Sequence, residues 1–206
     1  MFKNKKVGNF GNMGCFSFYP TKNLGSIGDA GAITTNNKLL YQKLLKLREY
    51  GWDKNKQSIY IGKNSRLDEI QSGFLNINLQ FLNKNNKKRN LIADNYFKKL
   101  NSKFYKLPNY DKNKFYNVFH LFVIQTKYRS KLIDYMKKNN VNLGIHYKLP
   151  CHKHLAFKKL STKKLNLLNT EKISNKIVSL PLYPGLTIKS QTKIISYLNK
   201  FAKIYE

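Results

Sequence analysis

Apolar positions along the 206 residues change their period several times, and each change predicts an element. Residues 14–18 (GCFSF) read as a short buried strand running into the turn Tyr19-Pro20-Thr21. Proline has no N–H to give to a ladder, so the chain must leave the sheet there. Residues 30–35 (AGAITT) form a second short strand, with Asn36 and Asn37 as turn or N-cap. A helix over 38–50 follows, with Leu40, Leu44 and Leu47 on one stripe and Gly51 as its stop. After an irregular loop at 52–65, two helices are expected at 67–82 and 87–100, parted by a break at 83–86. Ile70, Phe74, Ile77 and Phe81 are the expected buried face of the first.

Beyond Pro108 the pattern changes. Residues 118–125 are apolar at nearly every position, as in a strand covered on both faces. A helix at 129–139, a strand near 141–145, further helices and a closing helix at 188–203 complete an α+β unit. The chain therefore reads as α/β: residues 1–65 end one α/β domain, 66–100 are connecting helices, and 101–206 are a smaller α+β domain.

Composition changes this picture little. At 41% hydrophobic residues the chain is too apolar for a disordered tail, and no run is long enough to span a membrane. Cys15 and Cys151 lie far apart, which predicts no disulfide framework and a reducing, cytoplasmic setting. The net charge of +29 has two readings: a nucleic-acid surface, or a lysine-rich bias spread over solvated faces. Only Arg48, Arg66, Arg89 and Arg129 are arginines, and the 35 lysines are scattered. Base readers lean on the arginine fork, so the second reading is favoured and no nucleic-acid partner is expected. The field still attracts an anionic small substrate. Gly8, Gly11 and Gly14, like Gly25, Gly28 and Gly31, are spaced G-x-x-G-x-x-G, which is not the dinucleotide fingerprint. Cys151, His152 and His154 are too close in sequence to wrap one metal ion, so no metal is expected.

The stretch richest in chemistry is 15–35, CFSFYPTKNLGSIGDAGAITT. A lysine in a tight turn after a buried strand is partly desolvated, which favours the neutral amine that a Schiff-base lysine needs. Lys22 has that place, and Ser17 at the strand end offers a hydroxyl to a phosphate. Asp29 reads as a cap of the Gly28–Gly31 turn, and His120 as a core histidine within a strand.

From about Lys5 to Thr35 the chain closely resembles the DegT- and StrS-like nucleotide-sugar aminotransferases, which are fold type I pyridoxal-phosphate enzymes. The resemblance continues in order through LREYGW (47–52), GKNSRLDEIQ (62–71), YNVFHLFVI (116–124), GIHYKLPCH (144–152) and SLPLYP (179–184). It implies a remnant of the fold type I large domain in 1–65 and the family's small domain in 101–206. It also implies pyridoxal 5'-phosphate as cofactor, with Lys22 as the internal-aldimine lysine and Ser17 on the cofactor phosphate. Asn64 matches the asparagine that reaches the cofactor phosphate of a neighbouring subunit, which makes the site a homodimer's. Arg66 either binds substrate phosphate or fixes its loop to Asp68. His146, Tyr147 and His152 either border the sugar-nucleotide site or form a structural turn around Pro150. The implied reaction moves an amino group, typically from glutamate, to a nucleoside-diphosphate keto-sugar, for surface polysaccharide or glycan biosynthesis. Enzymes acting on thymidine-diphosphate 3-keto-6-deoxy sugars are the most similar.

The family's N-terminal section, with most of the large-domain sheet and the aspartate on the pyridine nitrogen, is not matched. The chain is therefore expected to be N-terminally truncated and inactive alone, with a non-catalytic dimerising fragment as the alternative. Gly62 and Lys63 before Asn64, and Ser72-Gly73 where small residues such as alanine are usual, are smaller departures.

Overall fold

The computed structural model describes residues 1–158 and 166–206. Strands β1 (Gly14–Ser17) and β2 (Gly31–Thr34) precede helices α1 (Lys38–Arg48) and α2 (Glu69–Lys99). Strand β3 (Phe122–Gln125) leads to α3 (Arg129–Lys138), a 3-10 turn at Cys151–Lys153, and the short helices α4 (Leu155–Lys158) and α5 (Leu168–Ser174). Strand β4 (Ile177–Leu180) and α6 (Ile188–Tyr205) close the chain. The architecture is mixed helix and sheet, in two compact units. One comprises Met1–Asn86 with Asp111–Val118, the other Lys87–Tyr110 with Phe119–Glu206, so their boundary falls inside α2.

In the first unit β1 and β2 pair antiparallel, Gly14 opposite Thr34 and Ser17 opposite Gly31. The expected buried strand is not buried: Cys15, Phe16 and Ser17 are exposed, because a two-stranded ribbon has no covering layer among the described residues. Asn37 caps α1, its side chain accepting from the N–H groups of Leu39 and Leu40. The helix ends at Arg48, two residues before the expected end at 50. The Gly51 N–H turns back to the Lys46 carbonyl at 2.8 Å, with Gly51 at φ +76°. A side chain there would strike the Tyr60 carbonyl, so the glycine is both the stop and a close approach.

The break expected at 83–86 is absent; α2 runs unbroken. Three asparagines cost a helix only about 0.7 kcal/mol each against alanine, and no glycine or proline enforces an end there. The expected buried face of its first half is also wrong. Ile70 is 79% exposed and Ile77 58%, with Phe74 and Phe81 exposed as well. The packed face instead runs through Gln71, Leu75, Asn78 and Asn86.

The second unit has a conventional core. β3 and β4 pair antiparallel, Phe122 opposite Leu180 and Gln125 opposite Ile177. Around them pack Ile92, Ala93, Tyr96 and Leu100 of the chain at the end of α2, Leu132 and Met136 of α3, and Ile195, Leu198 and Phe201 of α6. The Tyr96 hydroxyl donates to the Pro181 carbonyl at 2.7 Å and that of Tyr105 to the Leu198 carbonyl at 2.8 Å. Burial pushes both phenols well above their usual range, so they act as fixed donors. The Arg89 guanidinium is buried and donates to the carbonyls of Phe119, His120 and Leu182. The strand expected over 118–125 begins only at Phe122, since Phe119 takes φ +41° and His120 lies in the bend that follows. The strand expected near 141–145 reduces to a single bridge, Gly144 to Ser179.

Candidate active site

Residues 18–30 form a compact loop between β1 and β2. The ladder continues one step beyond the strands, with the Phe18 N–H on the Ala30 carbonyl at 2.8 Å. The Ser26 N–H then returns to the Phe18 carbonyl at 2.7 Å, and the Lys22 N–H closes a turn onto the Tyr19 carbonyl at 2.8 Å. Gly25 sits directly against the Pro20 carbonyl, where no side chain fits. Lys22 is thus half-buried, at the end of a tight turn within this closed loop. Ser17 is exposed at the end of β1, and its Oγ accepts from the Tyr19 N–H at 3.3 Å. That contact uses a lone pair and leaves the hydroxyl proton to be donated. Asp29 is exposed and caps nothing among the described residues.

Asn64 and Arg66 lie on a second loop of the same unit, zipped to the end of α1. The Lys63 N–H bonds the Leu47 carbonyl at 2.9 Å and the Ser65 N–H bonds that of Arg48 at 2.9 Å. Nε of Arg66 donates to Oδ1 of Asn64 at 3.1 Å, which leaves the Asn64 amide N–H groups unspent by this contact. Among the described residues Arg66 forms no ion pair with Asp68, so the guanidinium orients its neighbour Asn64. No hydrogen bond among the described residues joins this pair to Ser17 or Lys22.

In the second unit His146 Nδ1 lies 2.8 Å from Ser179 Oγ, and Tyr147 is 74% exposed. His152 Nε2 is 3.0 Å and Lys153 Nζ 2.9 Å from Oε1 of Glu171. Hydrogen bonds from Lys153 and then His152 hold the Glu171 carboxyl below the usual carboxylate range. Both histidines are therefore engaged within the unit, and His146 and Tyr147 are exposed while His152 is half-buried. Sequence reasoning missed the amides that contact the Lys22 loop: Gln71 to Ser26, Asn78 to the Gly25 carbonyl, and Asn86 to Asn23. Their spacing along α2 was the available signal, hidden by the more conspicuous apolar series beside it.

Residues 1–199, nearly the whole chain and both loops included, match the DegT/DnrJ/EryC1/StrS aminotransferase family. The chain belongs to the DegT/DnrJ/EryC1/StrS aminotransferase family. Enzymes of this family are pyridoxal-phosphate-dependent sugar aminotransferases. A dTDP-3-amino-3,6-dideoxy-alpha-D-galactopyranose transaminase of Aneurinibacillus thermoaerophilus is 36% identical over 98% of this chain and 54% of its own length. A family member of known structure from Brucella abortus superposes with a TM-score of 0.91 at 31% identity, over 98% of this chain and 54% of its own. A Bacillus subtilis protein whose structure carries bound pyridoxamine phosphate superposes with a TM-score of 0.87 at 29% identity, over 97% of this chain and 48% of its own. The chain spans about half the length of these relatives. The donor set of the Lys22 loop is chemically of the kind the family's cofactor needs, since the loop carries one primary amine and begins at one hydroxyl whose proton is unspent. Among the described residues no helix is long and apolar enough to cross a membrane.

Proposed function

We propose that this chain carries the lysine-bearing half of a pyridoxal-phosphate-dependent aminotransferase acting on a nucleoside-diphosphate keto-sugar. One observation supports this most: Lys22 ends a tight turn in a closed loop, with the Ser17 hydroxyl at the loop's start, inside the family match. When bound, pyridoxal phosphate supplies the electron sink for moving a proton between two carbons. The ε-amine of Lys22 holds and moves that proton, and the Ser17 hydroxyl donates to the phosphate. In the proposed homodimer the Asn64 amide N–H groups, oriented by Arg66, serve the phosphate of the neighbouring copy's cofactor. The remaining N–H groups of Arg66 are offered to substrate phosphate, and His146, Tyr147 and His152 border the sugar nucleotide. Residues 1–65 are then the cofactor-binding part, 66–100 the connector and 101–206 the small domain. Glutamate as donor, a cytoplasmic location and a role in surface polysaccharide or glycan synthesis belong to the same reading.

The test joins this chain to the portion of the Aneurinibacillus relative that it does not span. Glutamate-dependent amination of 3-keto and 4-keto sugar nucleotides is then measured. Turnover that prefers the 3-keto compound and disappears in Lys22→Ala is expected. Turnover that survives Lys22→Ala contradicts the assignment of the lysine, and a 4-keto preference contradicts the substrate class.

A further inference from the structure

One face of α2 grips the loop that presents Lys22. Gln71, Asn78 and Asn86 are seven and eight residues apart, about two helical turns each, so they share a face. Leu75 lies buried on that face between them. Each amide meets a different point of the loop. Oε1 of Gln71 accepts from the Ser26 hydroxyl at 3.0 Å. Nδ2 of Asn78 donates to the Gly25 carbonyl at 3.1 Å. Oδ1 of Asn86 accepts at 2.9 Å from Nδ2 of Asn23, which also donates to the Val118 carbonyl at 2.9 Å.

Apolar burial is non-directional and would let a loop slide along a helix, whereas hydrogen bonds fix distance and angle. Asn23 adjoins Lys22 on one side, and on the other the Lys22 N–H is tied to Tyr19. The main chain of Lys22 is thereby bracketed, and the close approach of Gly25 to Pro20 leaves the Gly25 carbonyl facing Asn78. We propose that the Gln71–Asn78–Asn86 stripe is a positioning template that sets where the Lys22 amine stands. This rests on the reading of Lys22 as the cofactor lysine. Reactive geometry of that kind depends on supporting groups that touch neither cofactor nor substrate, and small displacements are costly.

Two nearly isosteric substitutions separate positioning from a change of charge. Asn78→Asp removes the donor and sets a carboxylate against the Gly25 carbonyl. Gln71→Glu keeps an acceptor for Ser26. Both place one negative charge on the same helix face. Hydrogen exchange at the amides of Lys22 and Ser26 is read in the free chain. The share of pyridoxal phosphate that borohydride fixes on Lys22, against all other lysines, is read by peptide mapping. In Asn78→Asp both amides are expected to exchange about tenfold faster, with the Lys22 share falling severalfold. Gln71→Glu is expected to stay within about twofold of the parent in both readouts, and amides of β3 and β4 serve as the folding control. Equal effects of the two variants, or none in Asn78→Asp, overturn the proposal. Label spread over many lysines in the parent chain contradicts the role of Lys22 itself, and the exchange comparison alone then decides whether the stripe holds the loop.

Discussion

Ser17 and Lys22 are five positions apart, on opposite sides of Pro20. Proline ends the ladder, the Tyr19 carbonyl takes the Lys22 N–H, and the Tyr19 N–H takes a lone pair of Ser17. One short turn thus links the backbone of Lys22 and the Ser17 hydroxyl through Tyr19. A hydrogen bond from a neutral hydroxyl to a charged phosphate contributes about 1.5–3 kcal/mol, or roughly 10- to 100-fold in affinity. Ser17→Ala is therefore expected to weaken capture of pyridoxal phosphate on Lys22 by at least about tenfold while leaving capture of unphosphorylated pyridoxal near the parent value. Equal losses for both compounds would assign Ser17 to the loop's structure. Ser17 and Lys22 could be singled out from the sequence because both residues belong to one continuous motif. The amides of Gln71, Asn78 and Asn86 were not, because each is an ordinary polar helix residue until the loop it meets is known.

At the scale of elements, α1 was legible almost to the residue, because its start at Asn37 and its stop at Gly51 are local chemistry. Long α2 was misread twice, for one reason. Asparagine weakens a helix without ending it, and the apolar face Ile70-Phe74-Ile77-Phe81 is more conspicuous than the polar face that packs. Strand β3 was read too long since Phe119 and His120 are apolar or aromatic in sequence but bent in space. The tie between the 3-10 turn and α5 was invisible, as His152 and Glu171 are distant in sequence. Its pH dependence has a defined sign. The Glu171 carboxyl is held below its ordinary value of 4.5, so its contribution is fully present above about that pH. It is lost as pH falls through the depressed value of the folded state. Exchange protection of α5 amides is expected to drop in that acid window in the parent chain and to lack that step in Glu171→Gln. Protection that is flat through the window in the parent would show that the contact adds nothing.

At the scale of the whole chain, apolar surface and charge are both unevenly resolved. The first unit leaves Phe16, Ile33, Ile70, Phe74, Ile77 and Phe81 exposed, more than scattered surface residues account for, in keeping with the proposed association of two copies. The +29 charge comes mainly from 35 lysines spread along the chain, and among the described residues most of them are solvated. Any accessible amine can condense with an aldehyde, so selectivity among those lysines, and not colour or stoichiometry, reports a built site. The central claim is tested most directly by incubating the chain with limiting pyridoxal phosphate, reducing with borohydride and mapping the pyridoxyl group by peptide. The label is expected to be concentrated on Lys22, with the remaining lysines at background. A label distributed by exposure, or concentrated on any other lysine, would contradict it.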